Sequence, residues 1–130
     1  MGKEIHILLV DDDPEVLRIF GGKLQNEGFE ILYAHDGNEG REIARRMDVD
    51  LILLDMKMPV MDGYKTLEEL KGEQITKDIP VIIFTNDDLS HDAEESINEL
   101  GADGYIHKSA PIDEIVKRIN KELQHKNIYR

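Results

Sequence analysis

Three aspartates in a row, Asp11, Asp12 and Asp13, close the apolar run "HILLV", and another, Asp55, closes the run "LILL". Clustered carboxylates repel and raise one another's pKa unless a positive charge sits among them. A hard divalent cation answers that need. Mg²⁺ takes oxygen ligands at about 2.0–2.1 Å, keeps several waters, and is held by one or two carboxylates plus a substrate phosphate. Asp11, Asp12 and Asp55 are therefore candidate metal ligands. For the triplet alone a plainer reading has the better odds, with Asp13 as a helix cap and its two neighbours as solvated loop residues. Two further apolar runs end in Thr85, after "VIIF", and Lys108, after "GYIH". A lysine holds a phosphoryl oxygen as a point charge, and a threonine hydroxyl donates to another. Carboxylates form aspartyl phosphates, and in-line transfer depends mainly on positioning and charge. Asp55 is thus a candidate covalent acceptor, supported by Thr85 and Lys108. Taken singly, Thr85 reads better as a polar strand terminus and Lys108 as a solvated lysine; their convergence is what carries weight.

That convergence depends on the elements that position them. Short apolar runs at 5–10, 30–34, 50–54, 80–84 and 104–107 read as strands. Around Leu8, Leu53 and Ile83 they are apolar without alternation, as parallel strands covered on both faces are. Longer amphipathic segments between them read as helices. The first starts with Asp13 as N-cap and Pro14 at the first helical position, carries Leu17, Phe20 and Leu24 on one stripe, and stops at Gly28. Others fall near 38–47, 63–72, 89–100 and 112–125, with Pro111 just inside the last. Five βα units with short connections give an α/β, flavodoxin-like (βα)₅ fold: a five-stranded parallel sheet, order 2-1-3-4-5, helices on both faces. In that order strands 1 and 3 flank the switch point, and ligands sit beyond their carboxyl ends. Asp11, Asp12 and Asp55 stand at those ends.

The 130 residues are expected to form a single domain, with its core at about 4–125. There is no cysteine, which leaves the redox compartment open, and the formal charge of −12 repels a phosphate backbone and anionic lipid at long range. Direct nucleic-acid binding and membrane insertion are not expected. The opening "MGKEIHILLV" lacks the long apolar stretch and cleavage site of a secretory signal, so a cytoplasmic location is the default. The five histidines show no close helical pair or cysteine companion for zinc.

The sequence strongly resembles the receiver domain of two-component response regulators, over almost its whole length. "LLVDDDP" is similar to the family's acidic pocket, "LILLDMKMPVMDG" to its phosphorylation segment, "VIIFT" to its hydroxyl strand and "GADGYIHK" to its lysine strand. The resemblance implies that Asp55 is the phospho-acceptor. Asp12 is the more direct ligand of Mg²⁺, with Mn²⁺ as a substitute, and the Lys57 carbonyl is another ligand. Thr85 and Tyr105 form the switch. It also implies phosphoryl transfer from a sensor histidine kinase or histidine phosphotransfer protein, catalysed largely by the receiver, with later hydrolysis. The readout face would be helix 4, strand 5 and helix 5. The implied output is a separate effector protein, since only "QHKNIYR" follows Leu123, although a receiver cut from a longer chain would read the same. A monomer or a phosphorylation-dependent dimer fits equally.

Two positions depart from the common pattern. Asn86 replaces a small residue after the threonine, which bears on water access and phosphoryl lifetime. Ser109 replaces a proline after the lysine; without proline a cis bond costs about 2.5–4 kcal/mol, so a trans peptide or a strained one is expected. Three alternatives stay open. One is a degenerate receiver that binds partners without phosphorylation. Another is a Mg²⁺-dependent aspartyl-phosphate phosphatase, which needs a second acid where Lys57 stands. The third is a flavodoxin-like cofactor binder, which needs hydroxyl and glycine donors where "DDDP" stands. Met56, Met58 and Met61 around Pro59 read as packing under a loop rather than a partner surface. Met61, Asp62 and Gly63 read as a turn in which Gly63 supplies backbone freedom. Ile19, off the buried stripe of helix 1, is a candidate contact for a kinase. Asp92, Glu94, Glu95 and Glu99 read as a solvated face of helix 4.

Overall fold

The computed structural model describes residues 4–58 and 62–125, so Pro59 and Met61 lie outside the described residues. Strands β1 (His6–Val10), β2 (Glu30–Ala34), β3 (Leu51–Leu54), β4 (Val81–Thr85) and β5 (Gly104–His107) alternate with helices α1 (Pro14–Asn26), α2 (Gly37–Arg46), α3 (Gly63–Gly72), α4 (His91–Glu99) and α5 (Ile112–His125). All strands run parallel in the order β2-β1-β3-β4-β5, as the βα alternation implied. Because successive side chains point to opposite faces, the sheet supplies two cores. Ile7, Leu9, Leu53, Phe84 and Ile106 face Leu17 and Leu24 of α1 and Ile115, Ile119 and Leu123 of α5. Leu8, Val10, Ile52, Leu54 and Ile83 face Ala44, Leu67, Leu70 and Ile97 of α2, α3 and α4. Phe20 extends the α1 stripe by setting its ring edge-on to Phe84, centroids 4.8 Å apart.

Local chemistry sets where the helices begin and end. Asp13 accepts the Glu15 N–H and Pro14 opens α1; past its end Gly28 adopts φ 98°, a conformation open to glycine at little cost. Asp36, Asp62 and Ser90 cap α2, α3 and α4 through their side chains. Several bounds differ from the sequence expectation: β1, β3 and β4 each start one residue later, at His6, Leu51 and Val81, so that Asp50 lies before β3, and α2 runs one residue earlier, over Gly37–Arg46. Helix α4 starts at His91, because the Ser90 cap and not Leu89 satisfies its first amides. Pro111 precedes α5, and its carbonyl accepts the amides of Glu114 and Ile115. Thr85 lies within β4, paired with His107.

Candidate functional site

The register brings the acidic ends together. Val10 and Leu54 are partners across β1 and β3, so Asp11 and Asp55, each one residue further on, leave the sheet side by side. The Asp55 N–H still donates to the Val10 carbonyl at 2.9 Å, and the Asp11 N–H to the Ala34 carbonyl at 3.1 Å. On the other side of β3, the Lys108 N–H donates to the Thr85 carbonyl at 2.7 Å. The ladder thus places Asp55 between the acids of β1 and the hydroxyl and ammonium of β4 and β5.

One carboxylate oxygen from each of Asp11, Asp12 and Asp55 lies within 4.8 Å of the others. Asp11 and Asp55 are buried and Asp12 is exposed. The Lys108 ammonium sits 2.6 Å from Asp11 Oδ2 and 3.4 Å from Asp55 Oδ1, its side chain only 8% exposed. Asp11 Oδ1 accepts the Asp13 N–H at 2.9 Å, which fixes the carboxylate. Withdrawal from water, reinforced by the Asp11 charge, pushes the Asp55 carboxyl up from 3.8 to about 6, against the pull of Lys108 and of the Lys57 N–H. Three carboxylates facing one ammonium leave two negative charges, the charge of one divalent cation. This oxygen donor set fits Mg²⁺ on charge and ligand hardness.

The crevice, about 290 Å³, is lined by these groups together with Thr85, Asn86 and Asp87. Thr85 is buried, and its Oγ1 accepts the Asp87 N–H at 3.0 Å. Lys57 enters in two ways. Its amide donates to the Asp55 carboxylate, while its ammonium pairs with Asp87 Oδ2 at 2.9 Å, a contact that raises the lysine's pKa. Tyr105 pairs with Ile83, two residues before the Thr85–His107 pair, so it shares a sheet face with Thr85. It packs half-buried against the core that the sheet shares with α2, α3 and α4. Among the described residues there is no cis peptide bond. The turn after Lys108 is held by Ser109, whose N–H and hydroxyl both meet His107 Nδ1, at 3.1 and 2.7 Å.

Gly63 has a use other than backbone freedom. It shows no positive φ; a Cβ there would lie 2.6 Å from Met56 Sδ and 2.7 Å from the Asp55 carbonyl. The first turn of α3 therefore presses directly on the segment carrying Asp55. Met56 and Met58 are buried in the α2–α4 core, as packing residues are. Asp87 was not legible as a site residue, because nothing in "NDD" distinguishes which acid turns toward Lys57.

A parallel sheet in this order, with its charged groups gathered at the carboxyl edge beside the switch point, defines a doubly wound α/β domain with an acidic crevice there. The chain belongs to the response regulator receiver domains, whose family model matches residues 7–120. It is 31% identical over 118 residues to the DNA-binding dual master transcriptional regulator RpaA of Synechocystis, covering 91% of this chain and 48% of that protein. It is 33% identical over 122 residues to the transcriptional regulatory protein GlrR of Escherichia coli, covering 94% and 27%. The chain thus spans half or less of these relatives. Among solved structures, a CheY-like receiver domain protein from Methanospirillum hungatei superposes with a TM-score of 0.88 at 27% identity, covering 96% of this chain and 98% of that one. The receiver domain of a sensor histidine kinase from Pseudomonas aeruginosa, with a magnesium ion coordinated in its active-site cleft, gives 0.85 at 26% identity, covering 94% and 99%. Among the described residues no helix is long and apolar enough to cross a membrane.

Proposed function

We propose that this receiver is a phosphorylation-activated signalling protein that takes a phosphoryl group from a histidine of a sensor kinase or phosphotransfer protein onto Asp55. The observation that carries this reading is Lys108, whose buried ammonium contacts Asp11 and Asp55 together. The Asp55 carboxylate, ionised above about pH 6, attacks phosphorus. As the new O–P bond forms, the N–P bond breaks, and the histidine nitrogen keeps the electron pair and takes a proton. Lys108 holds one phosphoryl oxygen through the transfer, and the Thr85 hydroxyl donates to another once the bond has formed. Asp11, Asp12, Asp55 and the Lys57 carbonyl would hold Mg²⁺, or Mn²⁺ in its place, which supplies the positive charge that steadies the phosphoryl oxygens. Afterwards Thr85 turns toward the phosphoryl group and Tyr105 moves into the space it leaves, altering the face that meets a separate effector. The setting is the cytoplasm.

Intact mass after incubation with acetyl phosphate and Mg²⁺ tests this. One phosphoryl group should appear on the wild type, and none on Asp55→Asn or in the absence of metal. An unmodified wild type, or an equally modified Asp55→Asn, would sink the reading.

A further inference from the structure

A closed circuit of contacts runs through the crevice. The Lys57 N–H donates to the Asp55 carboxylate, and the Lys57 ammonium reaches Asp87 Oδ2 at 2.9 Å. The Asp87 N–H donates to Thr85 Oγ1 at 3.0 Å. Thr85 accepts the Lys108 N–H on its carbonyl, and the Lys108 ammonium returns to Asp55 at 3.4 Å. Asp55 and Thr85 are therefore joined by two routes, and that through Lys108 is buried. The route through Lys57 and Asp87 is open to water, the two side chains being 76% and 46% exposed. Exposed ion pairs are weak and easily exchanged. A phosphoryl group on Asp55 brings nearly two negative charges into the crevice that Lys57 also lines.

We propose that Lys57 and Asp87 are positioning residues for Thr85. Their ion pair holds the segment after β4 so that the Asp87 amide occupies the Thr85 hydroxyl. When Asp55 is modified, Lys57 leaves Asp87 for the phosphoryl oxygens, the segment loosens, and the hydroxyl is released to turn inward. The hold on Thr85 is a property of the unmodified protein, whereas the release rests on Asp55 being the acceptor.

The two parts are tested separately on the full chain. Amide exchange at Asp87, followed by NMR in the unmodified protein, should quicken about two- to five-fold in Lys57→Met and in Asp87→Asn, the range an exposed pair allows. The double variant should exceed neither single, and Lys57→Arg should restore the wild-type rate. Unchanged exchange, or two additive effects, refutes the hold. For the release, Asp87→Asn, which leaves the Lys57 ammonium free, should take phosphate from acetyl phosphate about two- to five-fold faster than wild type at equal Mg²⁺. An uptake rate equal to wild type refutes the release. A wild type that takes no phosphate at all brings down the proposed function and the release with it, while amide exchange alone still decides the hold.

Discussion

The two edges of the sheet both carry buried or half-buried aspartates and use them in opposite ways. At the amino edge Asp50, 4% exposed, accepts the His6 N–H at 2.8 Å. Asp103 accepts the Val81 N–H at 2.9 Å and the Lys71 ammonium at 3.2 Å, and that ammonium also donates to the Ile79 carbonyl. These carboxylates supply acceptors to amides at strand starts that the ladder alone leaves without partners. At the carboxyl edge Asp11, Asp12 and Asp55 converge on one another, and Asp11 and Asp55 share one ammonium. Burying charge without full compensation costs free energy, and a carboxyl perturbed as Asp55 is belongs to the kind found where chemistry is done. One edge is finished by its hydrogen bonds; the other gathers three carboxylates whose charge one ammonium does not balance.

The largest test of that difference is at the finished edge. Asp103→Ala would strip a half-buried ammonium of its counter-charge and the Val81 amide of its acceptor, so urea unfolding should show a loss of about 2–4 kcal/mol. A loss below that range would make the amino edge no better determined than the site. The open edge should respond with the opposite sign. The folded pKa of Asp55, about 6, lies above its ordinary 3.8. Between these values the folded state holds more protons than the unfolded one. Wild-type stability should therefore fall as pH rises from about 4 to about 6, and stay level above. Asp55→Asn removes the penalty, and without divalent ions at pH 7 it should gain about 1–2 kcal/mol, a value discounted because the crevice opens to water. Urea midpoints at pH 4.5 and 7 decide it: a variant no more stable than wild type at pH 7 would mean Asp55 carries no strain.

How much of this was legible follows from what each residue type can signal. Asp11, Asp55, Thr85 and Lys108 each interrupt an apolar run at its carboxyl end, and the parallel topology then sends all four to one edge. Asp50 and Asp103 are the same kind of residue one step before a strand, and their amide contacts depend on a register that composition does not reveal. Gly63 was misread because a glycine that needs positive φ and one that needs no Cβ are identical on paper; only the closeness of Met56 separates them. The Lys57–Asp87 pair joins two loops whose relative approach is set by packing on either side of them.

Divalent binding gives the smallest effect and the sharpest contrast between the edges. A ligand that binds only the folded state stabilises it by mass action, so Mg²⁺ at five times its Kd should add about 1 kcal/mol. The gain should vanish in Asp12→Asn, which loses one of the three converging carboxylates, and survive in Asp50→Asn, whose carboxylate serves the other edge. It should also shrink as pH falls through about 6, since the ion must displace the proton that Asp55 then retains. The metal therefore acts most where the metal-free protein is most penalised, and saturating Mg²⁺ should flatten the decline in wild-type stability between pH 4 and 6. A Mg²⁺ gain independent of pH, or one kept by Asp12→Asn, would place the ion away from Asp55 and leave the strain at the open edge without a ligand to relieve it.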